Sequence, residues 1–161
     1  MHESVKLQSI ANELEKNKET IFVFWFEETL DRARKILSEK DQEQSSLYNT
    51  KEIVAAHLAG KKVVFGEHYP LPQKEKELFE KLHLPEAEIW SAMDESLFKE
   101  FGSDKIVQMM KQFGMKEDQV IEHNMISKAI HNAQEKIETK VIVDQMASSQ
   151  EEWLRKNWRT S

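Results

Sequence analysis

Apolar positions along this chain change period several times, and each change marks an element. Val5, Leu7, Ile10, Ala11 and Leu14 recur at helical spacing and predict an amphipathic helix over residues 3–17. TIFVFWF, residues 20–26, is a continuous aromatic and β-branched run, too short for a buried helix, and predicts a buried strand. EETLDRARKILSEK follows with Leu30, Ala33 and Leu37 on one face, a helix directly after the strand. SLYNT is a short strand candidate, and KEIVAAHLAG predicts a helix closed by Gly60. KKVVFGEHYP is a second clear strand ending in a turn. Pro72 then suits a first helical turn, and Leu78 and Leu82 form the inner stripe of QKEKELFEKLHL. EAEIWSAM predicts a third clear strand.

Strands alternating with helices imply parallel pairing through right-handed crossovers. The expected fold is therefore α/β, with a small three- to four-stranded, mainly parallel sheet flanked by helices over residues 1–95. Beyond Met93 the pattern turns helical. Asp94 caps a short helix bearing Leu97, Phe98 and Phe101, and Ser103 or Asp104 caps another with Ile106, Met109, Met110 and Phe113 inward before Gly114. A long helix runs from Asn124 through Ile126, Ile130, Ala133, Ile137 and Val141. Ser149 and Glu152 have capping-box spacing ahead of Trp153. Residues 96–161 are thus expected to form an all-helical extension packed on the α/β domain.

Composition narrows the function classes. The chain has 161 residues, no cysteine and a net charge of −6. Disulfides, thiolate metal sites and a cysteine nucleophile are excluded, and a reducing, cytoplasmic setting fits. The acidic balance argues against nucleic-acid binding, which needs clustered Lys and Arg. MHESVKLQSIANELEKN lacks the apolar core of a signal peptide, and no apolar run approaches the roughly 20 residues that span a bilayer.

In a parallel sheet the ligand crevice lies beyond the carboxyl ends of the strands. Those ends carry Glu27 and Glu28, Asn49, Glu67, His68 and Tyr69, and Asp94. These residues are the candidate ligand-binding set. Such a set suits a metal or cationic ligand, or acid/base work by His68. Equally, Glu27, Glu28 and Asp94 suit adjacent helix amino ends, where anions are favoured. No metal-ligand spacing or G-x-S-x-G elbow supports catalysis, so no catalytic residue, metal or cofactor is expected. Ile126, Ile130, Ile137, Trp153 and Trp158 are the candidates for partner binding, because an apolar helix stripe and terminal aromatics need cover.

FGSDKIVQMMKQFGMKEDQVIEHNMISKAIHNAQEKIE, residues 101–138, carries a more specific signal. Phe101-Gly102-Ser103-Asp104, the Met-Gly-acidic pattern through residues 113–118, Ile121-Glu122-His123 and Ala129-Ile130 through Lys136 resemble the preprotein translocase motor ATPase SecA. There the corresponding stretch follows the second RecA-like motor domain and leads into a scaffold helix. More loosely, IFVFWFEETLDRARKIL, VVFGEHYP and IWSAMDESLFKEFGSD resemble successive elements of that helicase C-terminal-like domain. The phosphate-handling groups of such a motor depart from this pattern. Gly60-Lys61-Lys62 precedes a strand and lacks the earlier glycine and the hydroxyl residue, and no arginine lies between Arg34 and Arg155. The resemblance therefore implies a degenerate, truncated motor half, retained as a non-catalytic interaction or regulatory module. Its expected partner is a protein or a second copy, with the translocase motor a candidate. The alternative is a small-ligand or metal-binding protein using the crevice around Glu67 and His68.

Overall fold

A computed structural model describes residues 3–92, 94–101, 108, 111–112, 114 and 124–159, with the backbone alone for 124–127. The expected methionine-bearing helix ahead of Gly114, and His123, therefore lie almost wholly outside the described residues. So does the side chain of Ile126.

The elements are α1 (Glu3–Lys16), β1 (Thr20–Phe24), α2 (Glu27–Glu39), β2 (Leu47–Asn49), β3 (Lys62–Phe65), α3 (Pro72–Lys81), β4 (Glu88–Ile89), α4 (Ser96–Glu100), α5 (Asn124–Lys140) and α6 (Gln150–Trp153). A π-helical turn, Leu154–Trp158, continues α6. The four strands form one sheet in the order β2-β1-β3-β4, and every pairing is parallel. This is the α/β architecture with a helical C-terminal part that the alternating pattern predicts. β1 is central and buried at all five positions, because it has a strand on each side and helices on both faces.

Side-chain alternation along β1 divides the core. Phe22 and Phe24 pack with Leu7, Ile10 and Leu14 of α1 and Leu30 and Leu37 of α2. Ile21 and Val23 pack on the other face with Phe65, Ile53 and Leu82. Full burial of each large apolar side chain contributes roughly 1.5–3 kcal/mol, so these two layers carry much of the sheet's stability. A third core lies beyond the carboxyl ends of the strands. Phe26, just after β1, and Leu71, after β3, meet Leu97, Phe98, Ile130, Ala133, Ile137, Trp153 and Leu154. The helical extension is thus packed over the end of the sheet where α/β proteins usually hold ligands.

Four local expectations are corrected. Residues 52–59 form only a short 3-10 turn, Ala55–Leu58, because Ile53 alone is fully buried there and no helical stripe has a core to face. His57 is consequently exposed, stacked on Tyr48 at 5.0 Å. The strand expected over EAEIWSAM is reduced to Glu88–Ile89 at the sheet edge. In α1 the buried stripe includes Lys6 together with Leu7, Ile10, Ala11 and Leu14, whereas Val5 is only half-buried. Glu95, not Asp94, stands at the cap of α4, and it makes no side-chain cap bond. Gly60, with φ +71°, follows the 3-10 turn instead of closing a helix. Pro72 opens α3 as read, and Ser149 caps α6 by accepting from the Glu152 amide. The return half of that box differs: the Glu152 carboxylate accepts from the amide and hydroxyl of Ser148.

Candidate functional site

The strand order reverses direction at β1. The chain leaves β1 for β2 on one side and returns to β3 on the other, which places the topological switch point between the ends of β1 and β3. The side chain lying there is Glu67, 2% exposed. Its Oε1 accepts the Phe26 amide at 2.9 Å and its Oε2 accepts the Thr29 hydroxyl at 2.7 Å. Phe26 precedes α2 and has no side-chain oxygen with which to cap it, so the Glu67 carboxylate serves the helix amino end instead. Gly66, just before it, lets the chain pass close against the Phe24 ring. A Cβ there would fall 2.2 Å from Cε1 of Phe24.

Lys6 reaches the same place from α1. Its Nζ donates to the Gly66 carbonyl at 2.6 Å and to the Glu95 carboxylate, and the lysine is fully buried. Glu95 Oε1 also accepts the Ala92 amide at 2.8 Å. Burial pushes the Glu67 carboxyl up to about 7, against the pull of Lys6 and the two hydrogen bonds. For Lys6, burial alone acts to lower the pKa, but the facing Glu95 and Glu67 carboxylates outweigh it and raise it. The result is a buried cation between two acids that ties α1, β3, α2 and the start of α4 together. Glu28, Glu67 and Asp94 border an adjoining cavity of about 220 Å³. Asp94 Oδ1 accepts the Glu3 amide there at 2.7 Å.

Glu27, Asn49 and Tyr69 lie instead on a separate cleft of about 360 Å³, with Trp25, Lys51, Lys74 and Asp144. Asn49 Nδ2 donates to Glu27 Oε2 at 3.0 Å. The Tyr69 hydroxyl donates to Asp144 at 2.6 Å, and the Trp153 indole N–H donates to Asp144 Oδ1 at 2.7 Å. Burial raises the Tyr69 pKa, and its hydrogen bond to Asp144 adds to the effect. His68 joins neither group of acids. Its Nδ1 lies 2.9 Å from Glu75 Oε1, which also accepts the Tyr69 amide at 2.8 Å. The seven strand-end residues therefore split into the two hollows and a separate His68–Glu75 pair. Among the described residues no group of three His, Asp or Glu is arranged to hold a metal ion.

The candidate partner residues have moved inward. Ile130, Ile137 and Trp153 are buried in the third core, so the described part of the α5 stripe is covered by its own chain. Trp158 is half-buried against Phe101, with Lys140 Nζ 4.6 Å from its ring. Among the described residues the exposed large apolar side chains lie elsewhere: Val54, and on the strap joining α5 to α6 Ile142 at 98%, Val143 at 65% and Met146 at 66%. Lys6, Glu95 and Asp144 were not among the sequence candidates. Lys6 had one signal, a lysine one turn before Ile10 inside an apolar stripe. Glu95 and Asp144 had none, since each acts across the fold.

Comparison with known proteins places one segment of the chain. It is 45% identical over 49 residues to the protein translocase subunit SecA of Psychrobacter cryohalolentis, covering 30% of this chain and 5% of that protein. The SecA of Acinetobacter baumannii is 43% identical over 49 residues, with the same coverage. That of Acetivibrio thermocellus is 40% identical over 55 residues, 34% of this chain and 6% of that protein. No family model matches the chain. The chain thus contains a SecA-related region that corresponds to about a twentieth of the length of those relatives, and a translocase-related origin follows for that region. No helix among the described residues is long and apolar enough to cross a membrane.

Proposed function

We propose that this chain is a protein-binding module descended from part of a translocase motor, acting by contact and not by nucleotide turnover. The observation that carries the reading is the position of Glu67. At the amino end of α2, beside the switch point, nucleotide-binding α/β proteins direct backbone N–H groups at phosphate. Here the protein's own carboxylate takes the Phe26 amide, with the Thr29 hydroxyl on its second oxygen. An incoming phosphate would have to displace this buried, hydrogen-bonded group to reach the helix amino end. The SecA-related segment supports the translocase as the setting and SecA itself as the first partner to test. In this reading the chain is a regulator or decoy of the motor, built as a small helicase-C-like domain with its helical extension.

Two measurements on the purified chain test this. Thermal shift with magnesium-ATP at a hundredfold excess over its dissociation constant gives about 2.7 kcal/mol of stabilisation for any true site. The expected result is no shift, and a saturable shift with magnesium-ATP would overturn the proposal. Biolayer interferometry against purified SecA is expected to show saturable binding, and its absence would remove SecA as the partner. The same thermal screen with divalent cations tests the small-ligand alternative. That alternative has less behind it, because Glu27, Glu67 and Asp94 each already accept a hydrogen bond from the protein.

A further inference from the structure

We propose that Lys6, Glu95 and Glu67 form a proton-operated latch between the α/β layer and its helical extension. One proton on Glu67 makes the buried cluster neutral and holds α1 and the start of α4 against the end of the sheet. Loss of that proton leaves one uncompensated charge there and loosens both elements. The inference is independent of the protein-binding reading, because it concerns how firmly the extension is held, whatever the extension meets.

The charges do not balance when all three groups are ionised. Lys6 is fully buried, the Glu95 side chain is 8% exposed and Glu67 is 2% exposed. The Lys6 ammonium bonds Glu95 and the Gly66 carbonyl. Glu67 meets neutral groups instead, the Phe26 amide and the Thr29 hydroxyl. One cation thus stands against two acids, and a buried charge without a counter-ion is costly. A proton on Glu67 Oε2 restores neutrality without breaking the 2.7 Å contact with Thr29, since a hydroxyl accepts as readily as it donates. Burial accordingly pushes this carboxyl up to about 7.

The surrounding groups add to the imbalance. Glu3 of α1, Glu28 and Arg32 of α2, Asp94 ahead of α4, Lys99 of α4 and Glu151 of α6 line the adjoining 220 Å³ cavity together with Glu67 and Glu95. Arg32 is shared by Glu3 and Glu28, and Glu151 pairs with Arg159. His68, next in the chain, is turned aside to Glu75 at 2.9 Å. The cluster also lies where its release is felt. Lys6 belongs to α1, and Glu95 stands at the cap of α4. The Leu97 amide donates to Gln150 Oε1 at 2.7 Å, and Leu97 and Phe98 pack in the third core with α5 and α6. A proton at Glu67 is thereby linked, through Lys6 and Glu95, to the seating of the extension.

The test is hydrogen–deuterium exchange of the full chain read by mass spectrometry at pH 6 and pH 8, each rate divided by the intrinsic rate at that pH. A carboxyl that releases its proton at about 7 when held, and near 4.5 when freed, makes opening about tenfold more frequent at pH 8 than at pH 6. That rise is expected in peptides covering residues 3–16 and 94–101, which should stay less protected than β1 at both pH values. Glu67→Gln, neutral throughout, should abolish the rise. Glu95→Gln leaves Lys6 to neutralise Glu67 and should move the rise below pH 6. Carbon-13 NMR of the wild type should show one glutamate carboxyl titrating at about 7 that is missing from Glu67→Gln. Opening that is the same at both pH values in the wild type would overturn the proposal. So would a rise that survives in Glu67→Gln, which would assign it to another group, His68 first, or one that keeps its midpoint in Glu95→Gln. Protection of 3–16 and 94–101 equal to that of β1 at each pH would mean that the whole molecule unfolds at once, and no latch would exist.

Discussion

Glutamine in place of Glu67 changes one buried ionisable group and preserves its shape. The amide oxygen still accepts from Phe26, and the amide nitrogen faces the Thr29 hydroxyl, which reverses its role. What disappears is a titration. Burial raises the Glu67 carboxyl from 4.5 to about 7 in the folded protein. Below pH 4.5 the group is protonated in both states, and its contribution to stability is fully present. Between 4.5 and 7 the folded protein keeps a proton that the unfolded chain has released, so stability falls as pH rises. Above 7 that contribution is lost. At about 1.4 kcal/mol per pH unit, the interval amounts to about 3 kcal/mol. Urea unfolding of wild type and Glu67→Gln, followed by tryptophan fluorescence at steps from pH 4.5 to 8, reads this directly. Groups remote from Glu67 are the same in both proteins and cancel in the difference. The stability of Glu67→Gln relative to wild type should climb by about 3 kcal/mol across the range, most steeply between pH 5 and 7. A difference that stays flat would refute the buried carboxyl with its raised pKa at the switch point, and with it the argument that this position is filled by the protein's own group.

Three further outcomes follow from the packing. Lys6→Met leaves Glu95 and Glu67 facing each other without a cation and should cost about 3–5 kcal/mol in urea unfolding; adding Glu95→Leu should recover part of the loss. Trp153→Phe keeps the buried ring but deletes the donor to Asp144, an expected loss of about 1–3 kcal/mol with faster amide exchange along residues 141–149. Gly66→Ala drives a methyl group into the Phe24 ring and should lower stability by about 1–3 kcal/mol, seen as an earlier urea midpoint.

The strands and most helices were legible because each is decided locally. A run such as TIFVF can be buried on two faces only as an interior strand, and Leu30, Ala33 and Leu37 can share one face only on a helix. The 52–59 segment shows the limit of that logic. Its apolar residues have helical spacing, yet with no core facing it the segment settles as a single 3-10 turn. The strand-end carboxylates were legible as a set, but their grouping was not. Glu67 turned inward to α2, Glu27 paired with Asn49, and His68 paired with Glu75, a residue on α3 that local pattern gives no reason to choose.

Composition, periodicity and the SecA-like wording determined by themselves an α/β chain with a parallel sheet, a helical tail and a translocase-related segment. These are properties of neighbours in the chain, where spacing of a few residues sets which side chains share a face. Only the tertiary structure decided what lies at the end of the sheet. The third core covers Ile130 and Ile137 of α5 with residues from several elements, among them Phe26, more than a hundred positions away. Lys6 meets Glu95 across 89 residues, and Tyr69 meets Asp144 across 75. Buried charges and donors are satisfied by whichever groups the fold brings within hydrogen-bond reach, and no local pattern encodes that distance.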